Sequence, residues 1–342
     1  MRSVIVVHPD FDKVWPFTAN YFYEKWKAQG KGETELIRLE PGSGILLGQA
    51  VERPETVTRL VSLSVPVSLD CIRAFSSLRE AVIASNSYRT EPDPEIRREL
   101  EQAGVQIYTH PSEGYWSQSV SEFGLALTLC GLRRIPQTYH QMMHDPAAWN
   151  YEPPSGAEMP YARGYQFGDD PRFANGTVCG KKVRIVGAGN IASRYASFVK
   201  CLGADVAAWD PFAPEPAFHR AGARKVWRLE DLVKDADIFA PMVPLTEKTR
   251  GIVTREHIDA LPKGCLVVLV TRADICDMAA LRERVLADEL SLAADVFDIE
   301  PLPLNDPLLG RHNVVHTPHN AGRTIHANEQ WAEKLLEQFE QA

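Results

Sequence analysis

The chain has few cysteines, and none of them forms a recognisable chemical motif. Its six (Cys71, Cys130, Cys179, Cys201, Cys265 and Cys276) include no C-x-x-C pair and no zinc-type spacing with histidine. This argues against a disulfide framework and against a metal site, and most of the six stand in apolar runs, where a free thiol behaves as a small hydrophobe. The expectation is reduced thiols in a cytoplasmic protein. Long apolar runs are also missing: the longest candidates, 125–129 and 266–270, fall far below the roughly 20 residues a bilayer-spanning helix needs. The opening apolar run, 4–7, is too short for a signal peptide and reads as a first strand. Basic excess is absent as well. With 37 Lys+Arg against 45 Asp+Glu the net charge is −8, which disfavours broad affinity for nucleic acid or anionic membranes. No internal repeat or low-complexity tract stands out.

What is present is the composition of a globular protein, 44% hydrophobic and 24% charged over 342 residues, enough for two domains. Short apolar runs at 4–7, 36–39, 81–84 and 105–108 read as buried strands, with a helix over 94–103 ended by Gly104. Alternation of strand and helix implies parallel pairing with crossover helices. A long amphipathic pattern follows over 117–143, bent near Pro136. The stretch 145–180 has little periodicity, and a connector of that length suggests a cap over the substrate or a contact with a partner subunit. A second alternating series then begins. Strands are expected at 183–186, 205–209, 238–242, 266–270, 292–295 and 314–316, with helices at 190–202 and 278–288, and a closing helix at 324–339. Six parallel strands with a glycine loop after the first make a doubly wound sheet, which binds ligands beyond the strand C-termini.

The glycine loop is Gly187-Ala188-Gly189, followed by Asn190-Ile191-Ala192 at the start of a helix. Gly187 permits a tight turn, Gly189 leaves room for a pyrophosphate, and Ala192 allows helix and strand to pack closely. The helix N-terminus then offers N–H groups and partial positive charge to the phosphates. A lone G-x-G-x-x-A also makes ordinary turns. Here a strand precedes it, a helix follows, and Asp210 closes the next strand, which meets the conditions for a dinucleotide site. A carboxylate at Asp210 can accept bonds from ribose hydroxyls and repels a 2′-phosphate, favouring NAD over NADP; the same aspartate could merely close the turn at Pro211. Arg220 and Arg224 downstream would weaken that preference.

Hydride transfer to a 2-oxo acid needs a cation for carboxylate and carbonyl, an acid for the developing alkoxide, and a carboxylate to orient that acid. Arg272, His319 and Glu300 stand after three successive expected strands and suit these tasks in that order. Singly, each has a duller reading: a solvated arginine, a loop glutamate before Pro301, one of ten histidines.

Several blocks resemble the D-isomer-specific 2-hydroxyacid dehydrogenase family. They are 183–192 with its glycine loop, Pro-Leu-Thr-Glu-Lys-Thr at 244–249, Val270-Thr271-Arg272, Asp295-Val296-Phe297-Asp298-Ile299-Glu300-Pro301, and Thr317-Pro318-His319-Asn320-Ala321-Gly322. Together with Val120-Ser121-Glu122 on the long helix, they span about 104–322. The resemblance implies an α/β protein of two domains, a Rossmann-type doubly wound sheet (117–323) inserted into a smaller flavodoxin-like substrate domain (1–116 and 324–342). It implies an Arg272, Glu300 and His319 catalytic set. Cofactor contacts would fall at Gly187, Gly189, Asn190, Ile191, Asp210, Pro241, Val270, Asp295 (toward the nicotinamide carboxamide) and Gly322. The substrate carboxylate would rest on backbone amides of Ser85, Asn86 and Ser87, and a homodimer through the cofactor domain is implied.

The departures from the family pattern concern substrate more than chemistry. Ser85–Tyr88 replaces a usually glycine-rich loop, Leu269 stands where relatives often have asparagine, and Ala273-Asp274 adds a carboxylate after the arginine. Asp210-Pro211-Phe212 resembles the phosphoglycerate-dehydrogenase-like and hydroxypyruvate-reductase-like branches, and Arg89, Arg163 and Arg172 are candidate partners for a phosphorylated substrate. The expected function is NAD-dependent hydride exchange with a small 2-hydroxy or 2-oxo acid, with no nucleic acid or membrane partner. The alternative from another class is a corepressor-like regulatory protein that binds NAD without turnover. Glu300 argues against a formate-dehydrogenase-like activity, which resembles this pattern with glutamine at that position.

Overall fold

The computed structural model describes residues 1–110, 114–151, 164–165, 169–170 and 172–339. The chain forms two compact units: Met1–Trp116 with Arg323–Ala342, and Ser117–Gly322. The second is therefore inserted in the sequence of the first.

The first unit is built on a parallel five-stranded sheet. Its strands are β1 (Arg2–Val7), β2 (Glu33–Arg38), β3 (Arg59–Leu63), β4 (Glu80–Ala84) and β5 (Gln106–Ile107), in the order β2-β1-β3-β4-β5. Every residue of β1 is buried, as suits a β-branched run covered on both faces. On one face Phe11, Phe22, Trp26 and Trp331 pack against Ile5, Val61 and Val82, bringing together the Thr18–Gln29 helix and the closing Ile325–Leu336 helix. The other face buries Val4, Val6, Leu60, Ala81 and Ile83.

Central strand β3 is absent from the sequence-based reading, because Arg59 and Ser62 interrupt its apolar pattern. The structure accommodates the charge by pairing Arg59 Nε with Glu80 Oε2 of β4 at 2.8 Å. A buried ion pair with matched geometry lets a polar-looking segment take an interior place.

The second unit carries a short antiparallel pair, β6 (Asn150–Tyr151) with β7 (Gly164–Tyr165), and a seven-stranded parallel sheet. The sheet strands are β8 (Lys182–Val186), β9 (Asp205–Trp209), β10 (Arg224–Lys225), β11 (Ile238–Pro241), β12 (Leu266–Leu269), β13 (Ser291–Ala294) and β14 (Val314–His316). Their order, β10-β9-β8-β11-β12-β13-β14, is doubly wound, with the reversal of direction between β8 and β11. Seven strands replace the expected six because β10 has only two residues, Arg224 and Lys225, too few for a periodic signal.

The expected 117–143 helix is two helices, Ser117–Arg133 and Ile135–Met142. Arg134 breaks them at φ +52°, and Pro136 follows in the first turn of the second helix, where its missing N–H costs nothing. Gly131 lets the first helix lie close on the sheet: a Cβ there would come within 2.8 Å of Leu266 Cδ1. Much of 145–180, and with it Arg163, lies outside the described residues, so the expected cap or partner contact there has no structural description. All six cysteines are free thiols. No helix among the described residues is long and apolar enough to cross a membrane.

Trp331 is fully buried at the centre of the first unit's aromatic cluster. Trp331→Ala should cost about 3–5 kcal/mol of unfolding free energy, the usual range for removing a buried large aromatic. Urea unfolding followed by circular dichroism measures this, and a loss below about 1 kcal/mol would contradict the packing described.

Candidate active site

The C-terminal ends of the second unit's parallel strands face one edge of the sheet, and the residues named from sequence in this unit line up there. Beyond β8, Gly187 takes φ +121°, and a Cβ at this position would press within 3.1 Å of the Met242 carbonyl oxygen. Glycine is therefore required by both conformation and space. Gly189 caps the Asn190–Cys201 helix at φ −75°; no side chain caps that N-terminus, and no atom lies within 4 Å of where a Gly189 Cβ would be. Ala192 is buried one turn in. A phosphate cradle needs an open approach to a helix N-terminus, and these residues supply one.

Asp210, after β9, ties the cradle together. Its Oδ2 accepts from Ala188 N–H at 2.8 Å, and its Oδ1 accepts from Phe212 and Ala213 N–H at 2.8 and 2.9 Å. Closing the turn and facing the glycine loop are thus one role. A carboxylate has about four lone-pair positions, which leaves one for a ribose hydroxyl. Pro241 and Val270 are buried at the ends of β11 and β12, with Thr271 Oγ1 donating to the Pro241 carbonyl at 3.3 Å. Uncapped helix, open glycine and strand-end carboxylate together fit a dinucleotide.

Arg272, Glu300 and His319 follow β12, β13 and β14, three neighbouring strands of the sheet. Glu300 and His319 meet directly. His319 Nδ1–H donates to Glu300 Oε2 at 2.6 Å, while Glu300 Oε1 accepts from Phe297 N–H at 2.8 Å. The glutamate is therefore fixed by its own loop, and the imidazole is left with Nε2 as its outward nitrogen. His319 holds φ +54°, a left-handed conformation uncommon for a side-chain-bearing residue, consistent with a position set by its surroundings. Arg272 is exposed; its Nη1 donates to the Thr271 carbonyl at 2.7 Å, and it has no carboxylate partner among the described residues. The extra carboxylate of Asp274 pairs instead with Arg250.

Asp295 is fully buried, and its contacts reach beyond its sequence-based assignment. Its Oδ1 accepts from Thr317 Oγ1 at 2.6 Å and from Asn320 N–H at 3.1 Å, and its Oδ2 accepts from Ala321 N–H at 2.9 Å. One carboxylate thus gathers the loop that carries His319. Sequence reasoning missed Thr317, yet strand register contains the signal. Ala294 pairs with His316, so the next residues on each strand, Asp295 and Thr317, also stand side by side. Gly322 is half-buried just beyond this loop. An open cleft of about 820 Å³ adjoins the Glu300–His319 pair, lined on its apolar side by Phe297, Leu302, Leu304, Leu309 and Pro318.

The Ser85–Ser87 loop belongs to the first unit and extends β4. None of Ser85, Asn86, Ser87 or Tyr88 takes positive φ, which explains how the loop dispenses with glycine. Asn86 folds its side chain back, Oδ1 accepting from Tyr88 and Arg89 N–H at 2.9 and 3.1 Å. Trp15 Nε1–H donates to the Ser87 carbonyl at 2.6 Å. Among the described residues, the amides of Ser85, Asn86 and Ser87 have no acceptor, leaving three successive donors at a strand end. Such a run is a concavity for an anion. Of the candidate phosphate partners, Arg172 is engaged with Asp170 at 2.8 Å. No cluster of three or more potential metal ligands occurs among the described residues.

A doubly wound sheet with this glycine loop, and a paired histidine and glutamate at its C-terminal edge, defines a dinucleotide-binding protein of the dehydrogenase type. Residues 126–321 match the family model "D-isomer specific 2-hydroxyacid dehydrogenase, NAD binding domain", and the chain belongs to that family. Its second unit is thus an NAD-binding domain. Among curated relatives, D-3-phosphoglycerate dehydrogenase of Methanocaldococcus jannaschii is 30% identical over 69% of this chain, which spans 41% of that protein. Hydroxypyruvate reductase of Thermotoga maritima is 27% identical over 84% of each chain. The solved structure of D-2-hydroxyisocaproate dehydrogenase superposes with a TM-score of 0.67 at 19% identity, covering 98% of this chain and 95% of that one, a likeness of fold.

Replacing Asp295 by alanine strips three buried or half-buried donors of their acceptor. We expect a loss of about 2–4 kcal/mol in unfolding free energy, together with faster amide hydrogen exchange at Asn320 and Ala321. Unaltered exchange at both amides would show that the loop holds itself.

Proposed function

We propose that the chain is an oxidoreductase that moves hydride between NAD(H) and a 2-oxo acid or its D-2-hydroxy acid, with His319, Glu300 and Arg272 as the reacting set. The observation that carries this reading is the 2.6 Å Glu300–His319 bond in the same unit as an arginine without a carboxylate partner among the described residues, at the edge of a dinucleotide-binding sheet. When bound, the nicotinamide supplies or takes up the hydride. In the reducing direction His319 Nε2–H gives its proton to the carbonyl oxygen as the carbon gains hydride, so C=O becomes CH–OH. Glu300 keeps the imidazole oriented through Nδ1 and stabilises its protonated form before transfer. The Arg272 guanidinium holds the substrate carboxylate and polarises the carbonyl, a pairing suited to its planar fork. The Ser85, Asn86 and Ser87 amides take a carboxylate oxygen. Asp210 selects NAD over NADP, because a 2′-phosphate would meet a carboxylate. Asn190, Ile191, Pro241, Val270, Asp295 and Gly322 complete the cofactor surface.

We also propose that a second copy covers the exposed apolar residues Leu129, Ile135, Tyr139, Met142, Met143 and Trp149, which lie on consecutive elements of the second unit. Large apolar side chains left open along one stretch of a fold suit a subunit interface.

Absorbance-monitored NADH oxidation against a panel of 2-oxo acids tests the activity. Turnover is expected, and His319→Ala should lower kcat by about 10²-fold or more while NADH fluorescence still reports binding. Tight NADH binding with no turnover of any 2-oxo acid would replace this reading with the NAD-binding regulator. For the oligomer, light scattering should give a dimer that Tyr139→Glu with Met142→Glu converts to monomer; a monomeric starting protein refutes the proposed interface.

A further inference from the structure

Glu300 and His319 stand beside a cleft whose other walls do not suit a charged substrate tail. The cleft measures about 820 Å³, within the range of small-molecule sites, and among the described residues no lysine or arginine lines it. Among the described residues its ionisable lining consists of Asp295, Glu300, His316 and His319, so an anionic tail would meet no permanent cation there. Phe297, Leu302, Leu304, Leu309 and Pro318 supply apolar surface, and Leu304 is 98% exposed, its side chain open to a guest.

The first unit, considered by itself, shows the same preference next to its three free amides. Tyr88 is 46% exposed, and its ring stands at 88° to the half-buried Trp116 ring with centroids 6.5 Å apart. Trp15 supports this corner from below, stacked on Trp116 at 25° and 6.3 Å. Two perpendicular rings on a supported base offer both a face and an edge to an apolar guest. The amides next to them would hold the guest's carboxylate. The nearest rival feature is cationic. Arg89 is exposed in the loop, and Arg323 Nη2 donates to the Tyr88 hydroxyl at 3.4 Å. That bond places Arg323 at the rim of the aromatic corner rather than at its centre.

We infer that the acceptor is a 2-oxo acid carrying a large apolar side chain, aromatic or branched, in preference to one with a phosphorylated side chain or none. This inference rests on the dehydrogenase reading above and specifies its substrate.

The test compares kcat/KM for phenylpyruvate, 4-methyl-2-oxopentanoate, glyoxylate and 3-phosphohydroxypyruvate with saturating NADH. One or both of the first two should exceed the others by at least about tenfold, the discrimination that a few buried carbons provide. A higher kcat/KM for glyoxylate or 3-phosphohydroxypyruvate overturns the inference and leaves the dehydrogenase reading standing. No oxidation of NADH with any of the four overturns both. Leu304→Arg alters a fully solvated side chain and so spares folding. It should lower the ratio of phenylpyruvate to 3-phosphohydroxypyruvate kcat/KM by about tenfold or more. Tyr88→Ala should lower kcat/KM for phenylpyruvate by a similar factor, mainly through KM. If neither variant moves its parameter, the apolar walls do not select the substrate.

Discussion

The buried carboxylate of Asp295 organises the end of the second sheet on which the candidate chemistry depends. It receives a hydroxyl and two amides from Thr317, Asn320 and Ala321, and so determines the path of the loop that presents His319. A buried charge is costly unless hydrogen-bonded, and here the donors are those a loop leaving a strand must satisfy in any case. Satisfying Asp295 and holding His319 at φ +54° are therefore one structural event. Glu300 is anchored independently by the Phe297 amide, so the histidine is held from two directions by different backbone segments.

A division of labour follows from the strand order. The reversal between β8 and β11 opens a crevice at the strand C-termini, where the glycine loop and Asp210 stand. The strands on the far side of that crevice, β12 to β14, each end in one member of the proposed reacting set. The apolar cleft adjoins Glu300 and His319 of that set, and none of the glycine-loop residues lines it.

Much of this was legible in the linear order of residues. The strands Asp205–Trp209 and Val314–His316 coincide with their expected bounds, since each is an apolar run with clear turn signals beyond it. The glycine loop, the partnership of Glu300 with His319, and the separate place of Arg272 after β12 were also expected. Strand β3 was not, because its acceptability in a core depends on Glu80, a partner more than twenty positions away. Nor was the break at Arg134, where the chain turns through a left-handed conformation one residue before Ile135 and two before Pro136. In the Ser85–Tyr88 loop the Asn86 side chain folds back on its own backbone, Ser87 Oγ donates to the Asp10 carbonyl and Tyr88 packs on Trp15 and Trp116, contacts that no residue spacing announces.

By itself the sequence determined the class of sheet and the glycine loop of the cofactor cradle, and it singled out Arg272, Glu300 and His319 as candidates, because these depend on periodicity and on residue types at short spacings. Only tertiary structure decided which of those groups touch, which arginines are already engaged, and that Asp295 serves the histidine loop. It alone also showed an apolar cleft beside Glu300 and His319, and an aromatic corner beside the Ser85–Ser87 loop. Those properties arise from pairings between strands and loops distant in the chain, and their geometry exists only once the sheets have assembled.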